Sequence, residues 1–260
     1  MQSMAKNETV DALLRAYVEK RGIAPISATH PDCGLDDAYA IQLGQVGRWV
    51  DEGRTVRGHK VGLTSEAMQR QLGVDQPDYG HLFSDMFYAD DAPIPASRFI
   101  APRVEPEFAF VLSRPLTGPG LTVTDAVRAV EAVIGSIEII DSRIADWKIG
   151  LVDTIADNAS SAGVVLGRHR LGVNEIDIVN AECTLTKNGS VVGTGVGGAV
   201  LGSPLRALVW LANKLGELGT SLDEGAVVLP GSVCASVPVA AGDSVTADFG
   251  VLGTVTARFV

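Results

Sequence analysis

Apolar residues recur at helical spacing in two stretches near the N-terminus, Val10 to Lys20 and Asp36 to Glu52. In the second, Tyr39, Leu43, Val46 and Val50 fall on one predicted inward face. After Gly53 the pattern changes to short β-rich runs broken by glycine and proline. They are Phe108 to Leu112, Ile137 to Ile140, Gly163 to Leu166, Ala181 to Thr186, Ala226 to Leu229, Ser244 to Phe249 and Thr254 to Val260. Asn188-Gly189 between two such runs predicts a hairpin, because both central turn positions need φ > 0. Two helices are predicted to interrupt the sheet: Thr124 to Val133, with Val127, Val130 and Ile134 aligned, and Pro204 to Leu218, with Leu205, Leu208, Leu211 and Leu215 aligned. The pattern predicts an α+β chain with a small helical N-terminal part, residues 1–55, and a β-rich main domain, residues 56–260.

Composition narrows the partners. The chain has 260 residues, 46% apolar and 20% charged, which excludes disorder, and its formal net charge is −10. Lys and Arg never run beyond two, so neither nucleic acid nor an anionic membrane is expected as a partner. No apolar stretch reaches membrane-spanning length, and the first residues lack the apolar core of a secretory leader. Cys33, Cys183 and Cys234 are odd in number and widely spaced, which predicts free buried thiols in a reducing cytoplasm.

The chemistry concentrates in Arg103-Val-Glu-Pro-Glu, where Glu105 and Glu107 project from one face if the segment is extended. A third acid, Glu138, sits between Ile137 and Ile139 in a run too apolar for the surface. Buried carboxylates need compensation. Either they pair with Arg103 or Arg143, or they bind a hard divalent cation such as Mg²⁺ or Mn²⁺. Gly193-Thr-Gly-Val-Gly-Gly matches a dinucleotide fingerprint, but it follows an Asn-Gly hairpin instead of opening a βαβ unit. It is read as a crossing where backbones approach closely.

Five motifs then occur in order: Gly58-His-Lys-Val-Gly-Leu-Thr, Pro77-Asp-Tyr-Gly-His-Leu, Arg103-Val-Glu-Pro-Glu, Ile137-Glu-Ile-Ile-Asp-Ser-Arg and Asp157-Asn-Ala-Ser-Ser-Ala-Gly. Together they resemble the 2-keto-4-pentenoate (2-hydroxypenta-2,4-dienoate) hydratases. These, with the 4-oxalocrotonate decarboxylases, belong to the fumarylacetoacetate-hydrolase-like superfamily. The resemblance implies a mixed β-roll, a divalent metal on Glu105, Glu107 and Glu138, and assembly into pentamers or decamers, with association with a downstream aldolase a further implied partner. It implies a small-molecule 2-hydroxydienoate or 2-oxo acid substrate and a hydro-lyase reaction giving 4-hydroxy-2-oxopentanoate, in aromatic or steroid-ring catabolism. A 2-oxo-dicarboxylate decarboxylase is the alternative activity, and a non-catalytic assembly subunit the alternative class.

Such a reaction needs an acid or base beyond the metal ligands. Lys60, bracketed by Gly58 and Gly62, and Asp78, in Gln-Pro-Asp-Tyr-Gly, are the candidates by motif, although the first could be a surface lysine and the second a turn residue. Ser160 lacks the setting of a serine nucleophile and is assigned hydrogen bonding to substrate or water. His59 and His81 are reserve candidates, and Arg143 is expected to neutralise the acidic cluster. The run Leu229-Pro-Gly-Ser-Val-Cys-Ala departs from the Gly-Ala-Leu-Gly-Pro-Met type of many hydratases, which bears on specificity.

Overall fold

The computed structural model describes residues 1–65, 69 and 76–260. The N-terminal part holds helices α1 (Ser3–Glu19), α2 (Ile26–Thr29) and α3 (Leu35–Asp51). The remainder is built on strands β1 (Val56–Gly62), β2 (Asp78–Phe83), β3 (Phe87–Ala89), β4 (Pro93–Ile94), β5 (Arg103–Leu112), β6 (Val130–Ile140) and β7 (Ser161–Leu166). These continue as β8 (Glu182–Lys187), β9 (Ser190–Val196), β10 (Val227–Leu229), β11 (Val237–Pro238), β12 (Ser244–Asp248) and β13 (Thr254–Phe259). Helices α4 (Val123–Ala129), α5 (Leu151–Ala156) and α6 (Pro204–Glu217) lie between strands.

One mixed sheet has the order β2-β1-β10-β5-β6-β7-β3, with β11 also on β5; a second runs β4-β13-β12-β8-β9. The long antiparallel pair β5–β6 is the spine. Its inward side chains, among them Phe108, Phe110, Val133 and Ile137, share one core with Leu208 and Leu211 of α6 and Val245 and Val255 of the second sheet. All four leucines aligned in the sequence of α6 are buried, as its period predicts.

Two expectations are corrected. Helix α3 forms, but its buried face is Ala38, Ile41, Gln42, Gln45 and Trp49, while Leu43 and Val50 are 46% and 48% exposed. The glutamines go inside because their amides satisfy backbone carbonyls: Gln42 Nε2 donates to Tyr79 and Ile155, and Gln45 Nε2 to Ala156. The helix predicted over Thr124 to Val133 ends at Ala129. From Val130 the chain is strand, because Val130-Glu-Ala-Val-Ile pairs with β5, Val133 opposite Phe110.

The Asn188-Gly189 turn has φ of 50° and 81° at its two centres, as the hairpin requires. The glycine run lies in β9 and the turn after it; a Cβ on Gly195 would lie 2.0 Å from the Val233 carbonyl oxygen, so the glycine allows a backbone crossing. Cys33 and Cys183 are buried, Cys234 is half-buried, and all three are free. No helix among the described residues is long and apolar enough to cross a membrane.

Candidate active site

Strand alternation and register bring the acids together. Glu105 of β5 stands directly opposite Glu138 of β6, and Glu107, two residues on, shares their face. Carboxylate oxygens of all three lie within 4.8 Å of one another. Glu107 and Glu138 are fully buried and Glu105 is half-buried. Glu107 Oε2 accepts the Gly231 N–H at 2.6 Å. Its Oε1, and both oxygens of Glu138, are buried without a hydrogen-bond partner.

Burial pushes the carboxyl of Glu138 up to about 7, against the pull of Lys60. Burial also raises Glu107 well above the usual carboxylate range, and the Glu138 and Glu105 charges add to it. Buried acids with unpartnered oxygens converging on one point are unstable company for each other and suited to a cation. The oxygen-only donor set fits Mg²⁺ or Mn²⁺, with remaining positions left for water or substrate.

The charge partner differs from the sequence expectation. Arg143 does not reach the acidic cluster: its backbone N–H donates to Asp157 Oδ2 at 2.9 Å, its guanidinium pairs with the same carboxylate, and its Cζ lies 4.3 Å from the Tyr17 ring centroid. Asp157 lies close in the chain after α5 and captures it first. Arg103 donates to Ser236, through Nε to Oγ at 2.8 Å and Nη2 to the carbonyl at 3.2 Å. Among the described residues, the cation that pairs with Glu138 is Lys60, whose Nζ is 3.6 Å from Glu138 Oε2 and donates to the Ala159 carbonyl at 3.0 Å. Burial alone would lower its ammonium, but Glu138, Asp78, Glu105 and Glu107 outweigh that and hold it above its ordinary value. Lys60 is therefore a buried, charged group and not a surface lysine.

Asp78 joins from β2, where it pairs with Gly62, two residues past Lys60 on the same side of β1. A Cβ on Gly62 would lie 2.1 Å from Asp78 Oδ1 and 3.4 Å from Lys60 Nζ, so this glycine lets both groups in. Asp78 Oδ1 is buried without a partner, and burial raises its carboxyl. Ser160 is buried, with its Oγ unpartnered. His59, next to Lys60 in an extended strand, points to the opposite face, where its ring is 4.8 Å from that of His81. That pair stands apart from the acids.

Sequence reasoning missed Gly231, whose N–H orients Glu107, and Asn158, whose side chain bonds both backbone groups of His81. The Pro230-Gly231 dipeptide, inside the run that departs from the hydratase type, marks a turn and is the local signal for the first. Asn158 stood inside the motif Asp157-Asn-Ala-Ser-Ser-Ala-Gly, but nothing in that motif marked its bonds to His81.

The chain matches the family described as fumarylacetoacetate (FAA) hydrolase C-terminal over residues 50–260. It is 42% identical over 259 residues to 2-keto-4-pentenoate hydratase of Paraburkholderia xenovorans (strain LB400), covering 100% of this chain and 96% of that protein. It is 40% identical over 252 residues to 2-oxo-hept-4-ene-1,7-dioate hydratase of Escherichia coli, covering 95% and 94%. Among solved structures, 4-oxalocrotonate decarboxylase from Pseudomonas putida G7, complexed with magnesium and adipate, superposes with a TM-score of 0.97 at 34% identity, covering 100% and 99%.

Proposed function

Since the chain belongs to the fumarylacetoacetate hydrolase C-terminal family, we propose that it is a divalent-metal-dependent hydratase, adding water to 2-hydroxypenta-2,4-dienoate to give 4-hydroxy-2-oxopentanoate. The observation that carries this reading is the buried convergence of Glu105, Glu107 and Glu138, with unpartnered oxygens, beside Lys60 and Asp78. The three glutamates would hold Mg²⁺ or Mn²⁺. When bound, that ion supplies Lewis-acid polarisation of the 2-oxo group.

The protein's own groups do the proton work. Lys60, kept charged by its carboxylate neighbours, donates a hydrogen bond to the C2 oxygen as the enol loses its proton. Asp78, whose carboxyl is raised by burial, takes the proton of the 2-hydroxyl and delivers it to C5, then takes one from the water that attacks C4 and delivers it to C3, so that one water is added and Asp78 ends as it began. Ser160 Oγ, buried and unpartnered, orients substrate or water. Residues 56–260 form the catalytic part and 1–55 the helical part that covers it. A cytoplasmic location and self-association belong to the same reading. The uncharged edge strand β9, with exposed Val191 and Val192, supports the latter.

The test is ultraviolet assay of 2-hydroxypenta-2,4-dienoate with product mass measured alongside. A gain of one water with Mg²⁺ or Mn²⁺ is expected. Loss of CO₂ from 4-oxalocrotonate without hydration of the dienoate would replace the hydratase reading by the decarboxylase one.

A further inference from the structure

Asn158, Ala159 and Ser160 have φ of 52°, 50° and 56°, three consecutive non-glycine residues in the left-handed region. All three are buried. L side chains rarely adopt this conformation, and three in succession persist only where surrounding contacts over-determine them. Strain of this kind asks what the turn holds in place.

The contacts give an answer. Strand β2 is the edge of its sheet, so His81 has backbone groups that face no neighbouring strand. The Asn158 amide fills that role: Oδ1 accepts the His81 N–H at 2.8 Å and Nδ2 donates to the His81 carbonyl at 2.9 Å. Gly80 permits the approach, since a Cβ there would lie 2.3 Å from the Asn158 carbonyl oxygen. With Asn158 fixed to β2, the turn sends the Ala159 carbonyl toward Lys60 Nζ, 3.0 Å away, and the Ser160 carbonyl toward the Asp141 N–H, 2.9 Å away. The same turn leaves Ser160 Oγ buried and unpartnered.

We propose that Asn158 is a positioning residue: by clamping the left-handed turn to the edge strand β2, it fixes the Ala159 carbonyl that holds the Lys60 ammonium beside Glu138. Its kinetic consequence rests on the assignment of the Lys60 ammonium to the C2 oxygen of the substrate. Its geometric consequence, the hold on Lys60, does not.

Three variants separate the clamp from strain and from folding. Asn158→Ala removes both hydrogen bonds. Asn158→Gly also removes them but suits φ > 0, so relief of strain alone would leave it active. Asn158→Asp is isosteric, keeps the acceptor for the His81 N–H, and remains interpretable where Ala fails to fold.

Two readouts apply to each folded variant. One is the rate of Lys60 modification by a small amine-reactive reagent, mapped by mass spectrometry and requiring no substrate. The other is the split of kcat against KM, with Mg²⁺ affinity measured by titration. Lys60 labelling should rise about tenfold or more in the Ala and Gly variants, and less in Asp, with modification of exposed lysines such as Lys148 unchanged. The kcat of Ala and Gly should fall about tenfold or more, with KM and Mg²⁺ affinity within about twofold. Unchanged Lys60 labelling overturns the clamp, as does wild-type behaviour of Asn158→Gly. Faster labelling without change in kcat keeps the clamp and instead removes Lys60 from the proposed chemistry.

Discussion

Glu138 and Lys60 are 3.6 Å apart, yet their substitution should read out differently. Lys60→Met removes a cation and the hydrogen-bond donor to the C2 oxygen but no metal ligand. It should lower turnover by about 10² or more, with Mg²⁺ affinity retained, as stopped-flow kinetics and metal titration would check. Glu138→Ala should lose metal binding first and activity with it. The histidine pair allows a test at another place in the same strands. Burial pushes His81 down to about 4, so the folded chain leaves it neutral, whereas in the unfolded chain it protonates near the ordinary value of about 6.5. Between these values the unfolded state binds more protons, so this group's contribution to stability is lost as pH falls from about 6.5 toward about 4. The buried carboxyls titrate in both wild type and His81→Gln. Between pH 7 and pH 5 the unfolding temperature of the variant should therefore rise relative to that of wild type, and an unchanged difference between the two would refute the assignment.

The elements differ in how far they were legible. Strands β5 and β6 carry their chemistry openly: period two puts Glu105 and Glu107 on one face, and the apolar setting of Glu138 marks it as buried. Helix α6 was equally plain, since all its aligned leucines serve one core. Helix α3 misled, because an amide that caps another segment's carbonyl carries no hydrophobic signal, and Gln42 and Gln45 read as surface. The switch at Val130 was hidden because valines and alanines suit either period until a partner strand decides. Least visible was the turn around Asn158, which depends on the edge of β2. The loop after β10 permits an element-scale prediction. Gly231 has φ of 121° and a Cβ there would lie 2.0 Å from Thr64 Oγ1, while its N–H holds Glu107. Gly231→Ala should cost about 1–3 kcal/mol from the backbone conformation and weaken Mn²⁺ binding as Glu107 loses its donor. Calorimetry and Mn²⁺ titration by electron paramagnetic resonance would measure the two effects separately.

At the scale of the whole molecule, the helical part, the acidic floor and the loops over it are tied into one body. Ser27 of α2 donates through N and Oγ to Asp153 of α5, α3 reaches the carbonyls of Ile155 and Ala156, and α5 leads into the turn that holds Lys60. What this body stores is like charge: three acids converge on one point with the Lys60 ammonium beside them. Without metal, the cluster opposes folding, since each carboxylate must be desolvated near the others or hold a proton that it would not hold in water. A divalent ion reverses the sign, because it binds the folded arrangement and has no preformed site in the unfolded chain. At about 100 times its dissociation constant it adds about 2.7 kcal/mol, which for a chain of this size corresponds to a rise of roughly 5–10 °C in the unfolding midpoint. Glu107→Gln should invert the order. Its amide oxygen can still accept the Gly231 N–H, and the lost charge relieves repulsion, so the metal-free variant should unfold at or above the wild-type temperature. Its midpoint should then move little with Mg²⁺, so that the two proteins exchange rank as the ion is added. Scanning calorimetry in EDTA and in excess Mg²⁺ would show the crossing. A variant less stable than wild type in EDTA would mean that Glu107 is not a source of repulsion, and an undiminished Mg²⁺ shift would mean that it is not a ligand.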